Sequence, residues 1–325
     1  MCVNKSVAAR CACKGNIKIN IFLHCGCGAC LPFNYFCGIN LSNVSFMRNF
    51  FTAIVLLAVG TTASAQISIL STDDYTDWDT CDVVNYVVNY NMEFVKNVDK
   101  TPYKYTTDHM MLQIGGKATL FYSFDKYLAD SANIEVLKRN GTEFSGNNAT
   151  SWKLYKNYPS AGQYTLLEKV MSDKYACMEK VEEPAWQLVP DSTATIMGHQ
   201  CNMAEADFRG RKWRAWYAGD IPLSEGPWKL CGLPGLILRA CDSEQQYRFE
   251  ITGIRKGRPG ETLVYTGTKN EKIDKKSLNK LYKRYHDDPL AFFMATVPNG
   301  TITIQDEHGN KLDKMPAIPY NPIER

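Results

Sequence analysis

Short runs of alternating apolar and polar residues, joined by brief turns, constrain the fold of this chain more than any other feature of its sequence. In residues 247–254, Tyr247, Phe249 and Ile251 alternate with polar residues. This period is typical of strands with one buried face, and short connections make successive strands antiparallel neighbours. Further strands are predicted at residues 82–90, 103–114, 119–123, 164–171, 175–181, 186–196, 200–208, 211–218, 236–240 and 301–305.

Helices are expected mainly after the strands. Apolar residues recur at helical spacing from Leu278 to Tyr285, and Asp288-Pro289 is a typical start for a second helix. A third helix is predicted at residues 125–137. We therefore predict a mainly β (α+β) fold: a curved antiparallel sheet of meander type, up to a half-open barrel, with two or three helices covering one face.

Charge is distributed unevenly along the sequence. The chain holds 37 Lys and Arg residues against 34 Asp and Glu residues, but residues 1–65 contain five of the basic residues and none of the acidic ones. The remainder is therefore slightly acidic. This argues against nucleic acid as a partner, because nucleic-acid binding depends on clustered Lys and Arg.

Residues 47–65 have the organisation of a secretory signal peptide. A positive start at residues 47–49 precedes an apolar run at residues 50–59, and Ala63-Ser64-Ala65 is a small-residue cleavage site. The run is shorter than the roughly 20 apolar residues that a membrane span needs. We expect an exported protein, periplasmic or secreted, that is soluble after cleavage near Ala65 and has no transmembrane span in the mature chain.

Residues 1–46 precede this signal and contain seven of the twelve cysteines but no acidic residue. The cysteine spacing at residues 25–30 would also suit a metal-binding or disulfide-rich module. Globular modules rarely lack Asp and Glu entirely, so we interpret residues 1–46 as a mistranslated, disordered upstream segment. The predicted organisation is then the upstream segment at 1–46, the signal peptide at 47–65 and a single β-rich domain at 66–325.

The most distinctive motif lies between two predicted strands. It consists of Gly232, Leu233, Pro234, Gly235, Leu236 and Ile237. A Pro-Gly pair suits a type II turn with positive φ at Gly235, and apolar residues 236–238 suit a strand covered on both faces. Trp228 is placed to pack beneath this turn. We predict a structural motif, a rigid turn that feeds a central strand; a stiff loop that presents a contact surface is the alternative.

Residues 232–237 spell the motif for which the GLPGLI family of bacterial exported proteins is named, and residues 66–325 resemble that family along most of their length. The likeness extends to Gly198-His199-Gln200-Cys201, Phe208-Arg209-Gly210-Arg211, Ala215-Trp216-Tyr217, Asp220-Ile221-Pro222 and Tyr320-Asn321-Pro322-Ile323-Glu324. The resemblance implies export. It implies no mechanism, because the family has no assigned biochemical activity.

Basic and aromatic residues alternate in the predicted strand at residues 211–218. Trp213 and Tyr217 share one face, and Arg214 and Trp216 share the other, where the guanidinium of Arg214 can lie over the indole of Trp216. Exposed aromatic–Arg pairs are typical of binding surfaces, although the same pattern also decorates ordinary sheets. The predicted binding residues are Arg214, Trp216, Asp220 and Trp228.

Known catalytic signatures are absent from the sequence. It has no Gly-x-Ser-x-Gly elbow, no His-Glu-x-x-His and no Gly-rich phosphate loop. We therefore predict no catalytic residue, no metal ligand and no cofactor. The alternative is a hydrolase or a copper- or zinc-binding protein whose residues converge around His199, Cys201 and Asp220, because thiolate and imidazole both bind these metals.

The five cysteines of residues 66–325 are an odd number, so at least one is expected to be free or to form an intermolecular disulfide in an oxidising compartment. If a hairpin turns at Arg209-Gly210, Cys201 lies level with Ala218, and Cys241 lies towards the opposite end of the sheet. Bridged Cα atoms must lie within ~7 Å of each other. We therefore predict a Cys201–Cys231 disulfide, in which the long connection at residues 219–234 folds back over the end of the sheet.

These observations together favour a non-enzymatic protein of the cell envelope. Export, a sheet with an open end and aromatic residues around the motif suit a binding or assembly module. The expected partner is an envelope protein, a peptide or a lipid, and no nucleic acid.

Overall fold

The computed structural model describes residues 8–9, 17–23, 78–140, 149–170, 173–296, 300–306, 311–312 and 314–325. The chain forms two compact units. The sheet unit comprises Thr72–Lys275 and Pro319–Arg325, and the second unit comprises Met1–Ser71 and Lys276–Ile318. The predicted signal peptide lies outside the described residues, and the predicted boundaries at 46 and 65 stay predictions.

The secondary structure is dominated by strands, as predicted. The strands are β1 (Ala8–Ala9), β2 (Ile17–Leu23), β3 (Asp79–Val95), β4 (Tyr105–Gly115), β5 (Thr119–Ser123), β6 (Lys153–Lys156), β7 (Gln163–Val170), β8 (Asp173–Lys180), β9 (Gln187–Ile196), β10 (His199–Phe208), β11 (Arg211–Ala218), β12 (Leu236–Asp242), β13 (Tyr247–Lys256), β14 (Thr262–Tyr265), β15 (Glu271–Ile273), β16 (Gly300–Asp306) and β17 (Lys311–Leu312). The helices are α1 (Phe124–Lys138), α2 (Lys275–Asp287) and α3 (Pro289–Thr296).

One large sheet contains all the strands from β3 to β15. Their order is β15-β8-β7-β6-β5-β4-β3-β13-β12-β11-β10-β9, and β14 pairs with the first part of β3. The β15–β8 pair is parallel and the other pairs are antiparallel. The predicted antiparallel meander is therefore confirmed. It has two halves, β4 to β8 and β9 to β13, and the long strand β3 joins them by pairing with β4 and β13.

The sheet is strongly curved without closing on itself. Strands β8 and β9 are ten positions apart in the sheet, which in a flat sheet would separate them by about 48 Å. Only residues 181–186 connect them, and a link of that length spans at most about 25 Å. The short link therefore requires the sheet to curl, and this agrees with the predicted curved sheet.

Aromatic side chains fill the core on one face of the seam between β3 and β13. The ring centroids of Tyr90 and Phe121 lie 6.3 Å apart, and those of Phe121 and Phe249 lie 6.2 Å apart. Trp213 packs 6.2 Å from Phe249. These four rings come from β3, β5, β11 and β13, so both halves of the sheet share one core.

The predicted helices are all present. In the sheet unit, α1 follows β5 directly, and its first turn is capped by Ser123, whose Oγ accepts the Lys126 backbone N–H at 3.0 Å. In the second unit, Asp288 precedes α3, and its carboxylate accepts the Ala291 N–H at 3.0 Å. The same unit contains a four-stranded sheet in the order β1-β2-β16-β17. Among the described residues, no helix combines the length and apolar character needed to cross a membrane.

Candidate functional site

The motif lies at the end of the connection between β11 and β12 and is bonded to the rest of that connection. The N–H of Leu236 donates to the Ile221 carbonyl at 3.0 Å, and the N–H of Ile237 donates to the Glu225 carbonyl at 3.0 Å. Leu236, Ile237 and Leu238 are completely buried. The motif therefore leads into a central strand that is covered on both faces.

Glycine is required in this motif for two different reasons. Gly232 adopts a positive φ of 89°, whereas Gly235 does not adopt a positive φ. A Cβ atom on Gly235 would lie 2.2 Å from the carbonyl oxygen of Ala218. The predicted type II turn with positive φ at Gly235 is therefore wrong. The close approach of β11 excludes a side chain at position 235, and the left-handed conformation belongs to Gly232.

A cluster of buried charges lies next to the motif. This Lys229 cluster consists of Glu179, Arg209, Lys229, Lys275 and Glu324. The ammonium of Lys229 lies 2.7 Å from Glu179 Oε2 and 2.6 Å from Glu324 Oε1. Lys275 Nζ lies 2.7 Å from Glu324 Oε2, and Arg209 Nη1 lies 2.6 Å from Glu179 Oε1. Glu179 therefore bridges two cations, and Glu324 bridges three, because Arg209 Nη1 also lies 3.3 Å from Glu324 Oε2.

The cluster holds both carboxylates in their charged form. Burial raises the pKa of Glu324, but the attraction of Lys229 and Lys275 outweighs burial and lowers this pKa to about 2. Burial also opposes ionisation of Glu179, and Lys229 and Arg209 nevertheless lower its pKa. The Lys229 side chain has no exposed surface. Its amine is therefore closed to any solute, and its role in this conformation is structural.

Arg211 binds the backbone of the closing segment, which we define as Pro319–Arg325. Its Nη2 donates to Asn321 Oδ1 at 2.7 Å and to the Pro322 carbonyl at 2.5 Å, and its Nε donates to the Ile323 carbonyl at 3.0 Å. Its Nη1 is bound at 2.6 Å by the buried carboxylate of Asp242. Asp242 therefore holds the guanidinium on one side, and on the other side the guanidinium donates hydrogen bonds to three successive residues of the closing segment.

Further contacts complete a groove around the closing segment. The hydroxyl of Tyr247 donates to the Asn321 carbonyl at 2.6 Å, and Asn321 Nδ2 donates to the Val95 carbonyl at 2.8 Å. The indole N–H of Trp228 donates to Glu324 Oε1 at 3.1 Å. We call this site the closing-segment groove. Trp228, a predicted binding residue, lies buried inside the molecule and contacts the protein's own chain.

The predicted Cys201–Cys231 disulfide is not present, and all five cysteines of residues 66–325 are free thiols. Cys201 does lie level with Ala218, as predicted. The sulfur of Cys231, however, contacts the hydroxyl of Tyr164 on β7 at 3.4 Å, so the connection turns its cysteine towards the other half of the sheet. Burial raises the pKa of the thiols of Cys201 and Cys231, which makes both of them unreactive.

The solvent-facing side of β11 carries two of the predicted binding residues. Arg214 donates to Glu205 at 2.8 Å, and the guanidinium that lies over the Trp216 ring, at 5.7 Å from its centroid, belongs to Arg239. The predicted Arg214–Trp216 stacking is therefore wrong, because the neighbouring strand β12 supplies the cation. Arg239 is in turn paired with Glu250 on β13. Trp216 remains partly exposed within this row of ion pairs.

The alternative site around His199 is brought together in part. His199 Nδ1 lies 2.7 Å from Asp220 Oδ2, and the Cys201 sulfur lies 3.5 Å from the backbone carbonyl of His199. The carboxylate orients the imidazole and leaves Nε2 free of that contact. Within the part of the chain that the structure describes, no group of three or more His, Cys, Asp or Glu side chains has the geometry to hold a metal ion.

Residues 152–239 match the family model described as protein of unknown function (Porph_ging). The matched region runs from the start of β6 into β12 and includes Lys229 and the motif. The family that this model describes has no known function. The resemblance to the GLPGLI family by name stays a prediction.

The comparison with solved structures identifies no activity for this chain. The structure of PNGF-II in the P21 space group is 13% identical, with a TM-score of 0.41, over 63% of this chain and 34% of that one. The structure in the C2 space group is 15% identical, with a TM-score of 0.39, over 62% of this chain and 32% of that one. TM-scores below 0.5 support no argument about this chain. The search of curated proteins found no match.

Sequence reasoning missed most of the buried charges. Glu179, Arg211 and Glu324 look like ordinary surface residues in the sequence, because charged residues are rarely buried without a partner. One signal was present: Lys229 lies between Trp228 and Leu230 in an otherwise apolar segment. A single charge in such a segment indicates a buried ion pair, but the sequence does not identify its partner.

Proposed function

We propose that this chain is an exported envelope protein that acts as a non-enzymatic binding or assembly module. Its partner would be a peptide or another envelope protein, with a lipid as the remaining possibility from the sequence. The binding surface in this proposal is the outer face of β11 and β12, around Trp216, Arg214 and Arg239.

The observation that supports this proposal most is the contrast between the buried face of β11, which carries Arg211, and its solvent-facing side, which carries Arg214 and Trp216. Lys229 and Arg211 are paired with carboxylates of the protein's own chain, and their side chains are closed to solutes. On the outer face, the side chains of Arg214 and Arg239 are 43% and 39% exposed. Trp216 lies between them and is partly exposed. Aromatic and Arg side chains on an accessible surface are the groups that most often anchor a partner.

The test is crosslinking capture from the envelope with matched variants of the outer face. We expect Trp216→Ala to lose most of the captured partner, because the ring is the main apolar contact. Lys212→Ala is the control, because Lys212 lies on the same face of β11 and is exposed but carries no ring. If both variants melt within about 2 °C of wild type and capture equally, the outer face is not the binding surface.

Export needs a separate test, since it rests on the sequence alone. Mass spectrometry of the protein from the periplasm or the medium should give an N-terminus at Gln66. A full-length protein that stays in the cytoplasm would contradict the signal peptide.

A second candidate function is a metal-binding protein or a hydrolase at His199. The observation that favours it is the short contact between His199 and Asp220, which orients an imidazole two residues from Cys201 on the same strand. Metal analysis of protein purified from the periplasm distinguishes the two proposals. A near-stoichiometric metal content that disappears in His199→Ala would replace the binding module with this second function.

A further inference from the structure

Strand β16 of the second unit is paired along its whole length with a strand that the exported protein would not contain. All seven residues of β16 (Gly300–Asp306) have antiparallel partners in β2 (Ile17–Leu23). Cleavage near Ala65 removes β2 from the chain, and if residues 1–46 are mistranslated, the natural protein lacks β2 as well. On either interpretation, the mature chain keeps β16 without the neighbour that covers this edge.

Few strand pairs remain to β16 once β2 is removed. Among the described residues, its other partners are Leu312 and Lys311 of β17, which lie opposite Ile304 and Gln305. A two-stranded hairpin gains independent stability when a third strand joins it. An uncovered strand edge also presents backbone N–H and C=O groups with which a strand of another chain can pair. Loss of β2 therefore opens the edge of β16 to a new neighbour.

The residue pattern at the centre of β16 suits pairing with a copy of itself. Residues 19–21 of β2 are Ile-Asn-Ile, residues 302–304 of β16 are Ile-Thr-Ile, and each Ile of one segment lies directly opposite an Ile of the other. Two antiparallel copies of β16, related by a two-fold axis at Thr303, would likewise place Ile302 of each copy opposite Ile304 of the other. Cross-strand pairs of β-branched residues are favourable. A second copy therefore reproduces the central pairs that β2 makes.

The ends of β16 are compatible with the same arrangement. The only charged residue of β16 is Asp306, and the two-fold axis places it opposite Gly300 of the other copy. Like charges therefore do not meet, whereas like charges directly opposite each other would be unfavourable. Because both copies use the same strand edge, the interface is closed and gives a dimer rather than a fibre.

We infer that β16 is a dimerisation edge, covered by β2 in the uncleaved chain and by β16 of a second copy in the mature protein. The inference rests on the loss of residues 1–65 that belongs to the proposed function, and it does not depend on the outer face around Trp216. The two second units of the dimer share one antiparallel sheet in the order β17-β16-β16-β17. Removal of β2 thereby permits assembly only after export.

The first test compares the full chain with a chain made to begin at Gln66. The shorter chain keeps the whole of the sheet unit, Thr72–Lys275 and Pro319–Arg325. Sedimentation equilibrium with reductant, over a range of concentrations, measures the mass of each. We expect a dimer for the shorter chain and a monomer for the full chain at the same concentrations. A shorter chain that is monomeric at every concentration would overturn the inference, and so would equally strong dimers of both chains.

This comparison is independent of the test of export. The shorter chain is produced directly, so its mass does not depend on whether the cell cleaves the signal peptide. The N-terminus of the exported protein, measured as described above, tests cleavage separately.

Engineered cysteines test the register in the chain that begins at Gln66. Thr303→Cys places two thiols opposite each other on the two-fold axis, where the Cα atoms lie about 4.5–5.5 Å apart, within the ~7 Å that a disulfide needs. Gln305→Cys is the matched control, because its two copies lie four positions apart along the strands, or about 13 Å. Under mild oxidation we expect at least about tenfold more covalent dimer from Thr303→Cys than from Gln305→Cys or wild type. Equal crosslinking of the two variants would contradict the two-fold pairing.

A peptide competition tests the same edge without changing the protein. A peptide with the sequence of residues 14–24, which contains β2, is added to the chain that begins at Gln66. It should convert the dimer to monomer in proportion to its concentration, whereas the same peptide with Ile19→Asp and Ile21→Asp should not. If the two peptides act equally, or neither dissociates the dimer, the dimer does not form through β16 and the inference is wrong.

Discussion

Glu324 provides the sharpest test of the role of the buried charges. Its pKa falls from 4.5 to about 2 in the folded protein. One pKa unit corresponds to about 1.4 kcal/mol, so the charged carboxylate stabilises the folded state by roughly 3 kcal/mol at neutral pH. Glu324→Gln removes this contribution and leaves Lys229 and Lys275 with fewer partners. In a sheet unit of this size we expect the melting temperature to fall by about 6–12 °C.

The pH dependence gives the same test a second readout. Because the folded pKa lies below the unfolded one, the unfolded state binds the extra proton first as the pH falls. The stabilisation from Glu324 is therefore complete above about pH 4.5 and is lost progressively towards pH 2. Wild type should lose stability steeply in this window, and Glu324→Gln should lose less.

Thermal melts at neutral pH measure the first effect, and urea denaturation between pH 2.5 and pH 7 measures the second. Glu244→Gln is the control, because its partner Arg325 is exposed and such pairs contribute only about 0–1 kcal/mol. If Glu324→Gln melts within about 2 °C of wild type and shows the same acid dependence, the Lys229 cluster does not hold the closing segment as described.

Three further predictions concern the motif and the thiols. Gly235→Val should lower the melting temperature by several degrees and reduce export yield, because its Cβ would lie 2.2 Å from the Ala218 carbonyl oxygen. If this variant melts like wild type but loses its partner, the motif is a recognition surface. Gly232→Ala should cost about 1–2 kcal/mol in urea denaturation, since its strain comes from the positive φ and its Cβ would meet only the flexible side chain of Glu183, at 2.8 Å. A larger loss than for Gly235→Val would contradict this ranking. A thiol assay of the protein beginning at Gln66, without reductant, should count five cysteines in denaturant and almost none reacting quickly in the folded state; a lower count in denaturant would reveal a disulfide.

Most strands of the large sheet were predictable because their information is local, whereas the short strands β6, β14 and β15 were not predicted. The tight turn at Arg209-Gly210 was expected from sequence, and both residues adopt positive φ, at 49° and 78°. The register that places Cys201 level with Ala218 follows from that turn. The order of the strands is not local. The pairing of β3 with β13 joins segments far apart in the sequence, and no short-range pattern records it.

The candidate site was harder to predict for the same reason. The contacts of Arg211 with Asn321, Pro322 and Ile323 span more than 100 positions of sequence. Sequence patterns showed that residues 320–324 were distinctive, but not what they bind. The Arg214–Trp216 pair failed because a third strand, β12, places Arg239 over the ring. Side chains from neighbouring strands compete for the same aromatic face, and only the register decides which one reaches it.

The seam between β3 and β13 also affects how fast the chain folds and how readily it aggregates before it has folded. Within each half, β4 to β8 and β9 to β13, strands that follow one another in sequence are neighbours in the sheet, so these pairings are closer in sequence than the β3–β13 pairing and each half can form before it. Strand β3, with 17 residues, remains an open edge until β13 is available to pair with it. An open edge of that length is a template for pairing with other chains. We therefore expect the joining of the two halves to limit the folding rate, and chains that end before β13 to aggregate rather than fold.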